Sequence, residues 1–132
     1  MVDRVYISTE DREKYEKLKR EISFLSDKDA KDLFLFAFVY GVRFNSKKAL
    51  TKKEGYFRTE YLKDADKALL RIVGIFYESF EILDDLDRVL ELAEKYAHAG
   101  IDILINDLKS KSIGTFEKKL ELSLLEQVTE QN

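Results

Sequence analysis

Residues Lys31–Phe44 read KDLFLFAFVYGVRF, and the fold turns on what that stretch becomes. From Leu33 to Val42 no residue is charged, and Phe34, Phe36, Phe38 and Tyr40 make it strongly aromatic. An amphipathic helix would carry one apolar stripe. Here the apolar character runs round the whole circumference, so the segment needs cover on most sides. It is too short to cross a bilayer, which takes about 20 such residues. Each buried Phe or Leu contributes roughly 1.5–3 kcal/mol. The stretch is therefore expected to be a central core helix, open to meeting a partner subunit as well.

Working outward from it, Asp27, Asp29 and Asp32 crowd the start of this helix, with Ser26 or Asp27 the expected cap and Gly41 the expected stop. Upstream, Tyr15, Leu18 and Ile22 recur at helical spacing, which predicts a helix over about Thr9–Ser23. Ser8 and Asp11 resemble a capping box at its start. Before that, Arg4–Ser8 (RVYIS) alternates as a strand does, Val5 and Ile7 on one side, Arg4 and Tyr6 on the other.

Downstream, residues 43–63 lose all periodicity. They place Arg43, Lys47, Lys48, Lys52, Lys53, Arg58 and Lys63 against only Glu54 and Glu60, on a chain whose net charge is −3. With Gly55 and the β-prone run Tyr56–Tyr61, the segment is expected to be a basic, partly extended loop carrying a small hairpin. Asp64–Phe80 then predicts an amphipathic helix with Ala65, Ala68, Leu69, Ile72, Val73, Phe76 and Phe80 on its core side. Asp84 or Asp85 caps a further stripe of Leu86, Val89, Leu90, Ala93, Ala97, Ile101, Leu104 and Leu108. Gly100 interrupts that stripe, so either a neighbour packs close there or the helix breaks, with GIDILI as a short strand. A last amphipathic segment, Thr115–Val128, follows Gly114.

The expected class is mainly α: a compact domain of about five helices with a short N-terminal strand. Residues 1–109 form the domain, and 110–132 a C-terminal amphipathic helix that docks on it or serves interaction. No Cys is present, which excludes disulfides and thiol chemistry and fits a reducing cytoplasm. MVDRVYIS lacks the charged-then-apolar pattern of a signal peptide, and no segment reaches transmembrane length. Abundant Lys and Glu is the bias of thermophile proteins. No phosphate-cradling Gly-rich loop, GxSxG or metal-ligand spacing occurs, so no catalytic residue, metal or cofactor is expected. Glu94, His98 and Asp102 share one helix face and are read as a surface stripe.

The order strand, helix, tight turn, capped apolar helix over the first 42 residues resembles a ribbon–helix–helix unit. The resemblance implies a ribbon paired between two chains, with Arg4, Tyr6 and Ser8 entering the DNA major groove and backbone near Ser26 holding a phosphate. The other reading is a small edge strand packed beside two core helices. DRVYI, DLFLFAFVYGVRF followed by KKAL, and EKYAHAGIDIL together resemble the small dnd system-associated protein family, type 4 group. That resemblance spans most of residues 3–105. It implies a cytoplasmic, non-enzymatic accessory beside DNA phosphorothioation and linked defence genes.

Two functions are open. In the first, a homodimer binds DNA, with Arg4 and Tyr6 in the groove and Arg43, Lys47, Lys48, Lys52, Lys53 and Arg58 on phosphates. Cations interleaved with Phe44, Tyr56, Phe57 and Tyr61 suit that role. In the second, the aromatic helix or the C-terminal helix grips another protein of a DNA-modification or restriction complex.

Overall fold

The computed structural model describes residues 2–77 and 85–110. In chain order the elements are β1 (Arg4–Ser8), α1 (Asp11–Glu21), a 3-10 turn (Ser23–Leu25), α2 (Ala30–Arg43), β2 (Lys53–Arg58), a second 3-10 turn (Thr59–Tyr61), α3 (Asp64–Tyr77) and α4 (Leu86–Ser110). The chain is mainly helical, with one two-stranded sheet. The expected Thr115–Val128 helix and Phe80 lie outside the described residues.

α4 is the spine. It packs against α1, α2, α3 and β1, and its interface with α2 is the most extensive among the described elements. α2 sends Leu33, Phe34, Ala37, Phe38 and Gly41 into the core. Phe38 meets Tyr96 edge to face at 6.2 Å, and Phe34 meets Phe57 at 5.5 Å. The helix is not covered all round: Val39 is 39% exposed, and the Tyr40 hydroxyl turns to Asp107 at 2.8 Å. Gly41 does not end α2, nor does Gly100 break α4. Each glycine instead lies against the other helix. A Cβ on Gly100 would collide with the Ala37 carbonyl, and one on Gly41 with the Tyr96 carbonyl. The two backbones thus touch directly, and GIDILI is helix, not strand.

Local chemistry sets the helix starts. The α2 cap is Asp29, not Ser26 or Asp27: its carboxylate accepts the Asp32 N–H at 3.0 Å. Asp29→Ala should therefore cost about 1 kcal/mol of stability in a urea titration, whereas Asp27→Ala should cost close to nothing. Asp85 caps α4 by accepting the Arg88 N–H at 3.2 Å. The Ser8–Asp11 capping box does not form. Ser8 ends the strand, and α1 starts at Asp11 without a side-chain cap.

α3 is rotated from the expected face. Val73 packs against the core as expected, and Leu70 is buried beside it, whereas Leu69, Ile72 and Phe76 are exposed, Phe76 to 80%. Helical periodicity identifies which residues share a side; it does not say which side meets the core.

Candidate nucleic-acid interface

β1 pairs antiparallel with β2 of the same chain: Arg4 with Arg58, Val5 with Phe57, Tyr6 with Gly55, Ile7 with Glu54 and Ser8 with Lys53. A bulge falls between Val5 and Tyr6. The ribbon expected between two chains is thus made within one. The Tyr6 N–H donates to Glu94 Oε2 at 2.8 Å rather than to another strand. Val5, Ile7 and Phe57 anchor this two-stranded sheet in the core. The small hairpin expected within residues 43–63 does not form: β2 is the one strand described there, and it pairs with β1 across the α1 and α2 segments.

That register puts Arg4 directly across from Arg58. Arg4 lies over Gly55, its Cδ only 2.9 Å from where a Cβ would stand, so the missing side chain makes room for it. Beside the pair opens a groove of about 500 Å³, lined by Arg4, Lys31, Tyr56, Phe57, Arg58 and Tyr61 together with Asp29 and Ala30. Tyr61 is 58% exposed at this groove. Tyr56 is fixed by stacking on Tyr15 at 4.9 Å, with the Arg12 guanidinium 5.4 Å from its ring centre. Burial pushes the Tyr56 hydroxyl pKa well up, so it stays a neutral donor. Lys31 is tied to Asp66 at 3.1 Å, and that bond raises its pKa. Arg58 reaches Glu60 at 3.1 Å across open solvent, a pairing of little strength. Arg4 has no ion pair among the described residues. Near Ser26, where a phosphate clamp is expected, the Asp29 carboxylate already takes the Asp32 N–H at the start of α2 and opposes a second anion there.

The remaining cations sit elsewhere. Lys53 pairs with Ser8 at the far end of the sheet, four residue steps or about 13 Å from Arg4, and Lys52 lies just beyond it. The Lys52 carbonyl accepts the Thr9 N–H at 2.8 Å. Lys47 lies 5.9 Å from the Tyr96 ring centre, and Arg43 lies 5.7 Å from that of Phe44. Lys48 is bound twice to α4: its N–H donates to the Lys95 carbonyl, and its ammonium pairs with Asp102. The two-stranded sheet therefore gathers Arg4 and Arg58, with Lys52 and Lys53 further along it, while Arg43, Lys47 and Lys48 lie against aromatic rings or α4.

Glu94, His98 and Asp102 are not the surface stripe expected. Glu94 and His98 are buried, and His98 meets groups from far along the chain. Its Nδ1 is 2.5 Å from Asp11 Oδ2, and its Nε2 is 3.5 Å from Ser8 Oγ. Asp11 also holds Lys14 at 3.2 Å, and Lys14 bridges to Asp102 at 2.5 Å. Burial raises the Asp11 pKa, against the pull of His98 and Lys14. Burial also acts to raise that of Asp102, but Lys14 and Lys48 outweigh it and hold the carboxyl below its ordinary range. Burial pushes Glu94 up to about 7.

Serine, imidazole and carboxylate stand in the order of a hydrolytic triad. Ser8, however, is completely buried, and its oxygen accepts the Thr51 N–H at 3.1 Å. The hydroxyl faces neither the groove at Arg4 nor those at Lys14 and Lys67. Glu10, Asp11 and His98 also offer ligand atoms within 4.8 Å of one another. The Lys14 ammonium on Asp11 opposes a second cation there. The cluster joins β1, α1, α4 and the 44–52 segment, pinning the Ser8 end of the two-stranded sheet. No sequence signal marks it, since His98 stands 87 residues from Asp11.

Compared with known proteins, the chain matches no family model, no curated protein and no solved structure. No helix among the described residues is long and apolar enough to cross a membrane.

Proposed function

We propose that the chain is a non-enzymatic, nucleic-acid-associated accessory protein that holds phosphates at the Arg4–Arg58 end of its two-stranded sheet. The observation that carries this reading is the facing pair of arginines beside a groove lined with tyrosines. Guanidinium groups match phosphate geometry and keep their charge at any physiological pH. Lys52 and Lys53 extend the basic track toward the other end of the sheet. The resemblance to the dnd system-associated family suggests the setting, a cytoplasmic DNA-modification or restriction system.

The test is fluorescence anisotropy with labelled DNA over a salt series. Replacing Arg4 and Arg58 by Ala should weaken binding and flatten the salt dependence by about 0.9 for each duplex phosphate no longer neutralised. Lys47→Ala and Lys48→Ala should change the slope far less, because those side chains already meet Tyr96 and Asp102. An unchanged slope in the double arginine variant removes the reading.

One observation favours a second reading, a protein–protein adaptor. Ala65, Leu69, Ile72 and Phe76 recur at alternating steps of four and three residues along the exposed side of α3, the spacing of a helix-packing seam. A protein partner held there would co-purify at high salt, and Phe76→Ser would release it.

A further inference from the structure

The arginine groove has a shape as well as a charge, and the shape narrows what it can take. We infer that it receives single-stranded nucleic acid, with one base stacked on Tyr61 and the adjoining phosphate between Arg4 and Arg58. This inference rests on the nucleic-acid reading above and deepens it.

Three observations carry it. The groove, about 500 Å³, lies within the range of clefts that enclose a small ligand. It has room for a nucleotide unit, whereas a duplex, with its bases stacked inside a stiff helix, can offer it only backbone. The Tyr61 ring sits in the short 3-10 turn directly after β2 and is more than half exposed. An aromatic face held open beside guanidinium groups is what unpaired bases stack on, without regard to sequence. Finally, carboxylates limit where a phosphate can sit. Asp29 and the Lys31–Asp66 pair occupy the α2 side of the groove, so an anion is favoured at Arg4 and Arg58, where it displaces only the solvent-exposed Glu60 from Arg58. Phosphate and base are thereby assigned to different residues of one cleft, the arginines and Tyr61. Tyr56, held between Tyr15 and Arg12, forms a rigid wall.

The experiment compares, by anisotropy at one fixed salt concentration, a labelled 12-nucleotide oligothymidylate, a 12-base-pair duplex and an abasic phosphodiester of the same length. The single strand should bind at least tenfold more tightly than either of the others. Tyr61→Ala should lower single-strand affinity about tenfold and leave duplex affinity unchanged, while Tyr61→Phe should keep it. Tyr61 is exposed, so unaltered melting of both variants separates binding from folding. Equal affinity for duplex and single strand, or an equal loss on both with Tyr61→Ala, overturns the inference and leaves the phosphate-binding reading standing. Absence of binding to all three probes overturns both.

Discussion

Gly100→Ala is expected to destabilise the protein by about 3 kcal/mol or more, the upper end of what an added methylene costs in a packed core. Helix propensity alone points the other way, since Ala in place of Gly favours an isolated helix by about 1 kcal/mol. Packing decides the sign. A Cβ at Gly100 would stand 2.7 Å from the Gly41 nitrogen and 2.9 Å from the Ala37 carbonyl carbon, closer still to the carbonyl oxygen. All three atoms are backbone of α2, so no rotamer change relieves the clash. α2 and α4 would have to separate, loosening Phe38 from Tyr96 and Tyr40 from Asp107. Gly41→Ala should behave alike, because its Cβ would stand 2.8 Å from the Tyr96 carbonyl carbon. The double variant should cost less than the two single costs combined, because one separation of the helices accommodates both methyl groups. Urea unfolding of the four proteins measures this. A Gly100→Ala protein as stable as the parent would mean that the helices do not cross in backbone contact.

Glu94→Gln should make the protein more stable at pH 8 and nearly unchanged at pH 4.5. Burial raises the Glu94 pKa from 4.5 to about 7, so the folded chain holds a proton there that the unfolded chain has already released. Stability from this group therefore falls as pH climbs from about 4.5 to about 7, and is level above. At about 1.4 kcal/mol per unit, the swing is about 3 kcal/mol. Gln keeps an acceptor for the Tyr6 N–H and carries no charge to bury, so the slope should vanish with the carboxyl. Asp11, also raised by burial, contributes a slope of the same sign in parent and variant alike. Asp102 and Asp66, both held below their ordinary value, act with opposite sign in the acid range below about 4. Unfolding free energies at pH 5 and pH 8 decide the matter. Parallel pH profiles for parent and variant would show that Glu94 is not buried against the strand.

Much of the fold was legible because it follows from local pattern. The unbroken run Leu33–Val42 could only be a core helix, and its burial through Phe34, Ala37 and Phe38 follows. Alternation in RVYIS gave the strand and its core side, Val5 and Ile7. What was not legible depends on groups distant in sequence. β2 hides behind a bulge, which breaks the alternation that would mark KEGYFR as the partner of β1. Glu94 and His98 fall at the spacing of a solvated face, yet the groups that satisfy them, Tyr6, Ser8 and Asp11, come from the other end of the chain. The basic character of residues 43–63 was plain from composition. That Lys48 is bound to Asp102 while Arg4 and Arg58 stand together depends on tertiary contacts and on the register of two strands distant in sequence, which no periodicity encodes.

The most direct measurement is photo-cross-linking of oligonucleotides carrying 5-iodouracil, single-stranded and duplex, with the attachment points located by mass spectrometry. Attachment should concentrate on Tyr61 and the peptides holding Arg4 and Arg58, and should disappear in the Arg4→Ala/Arg58→Ala protein. Attachment confined to α1 or to the outer side of α3, undiminished in that variant, would contradict a nucleic-acid site at the arginine end of the β1–β2 sheet.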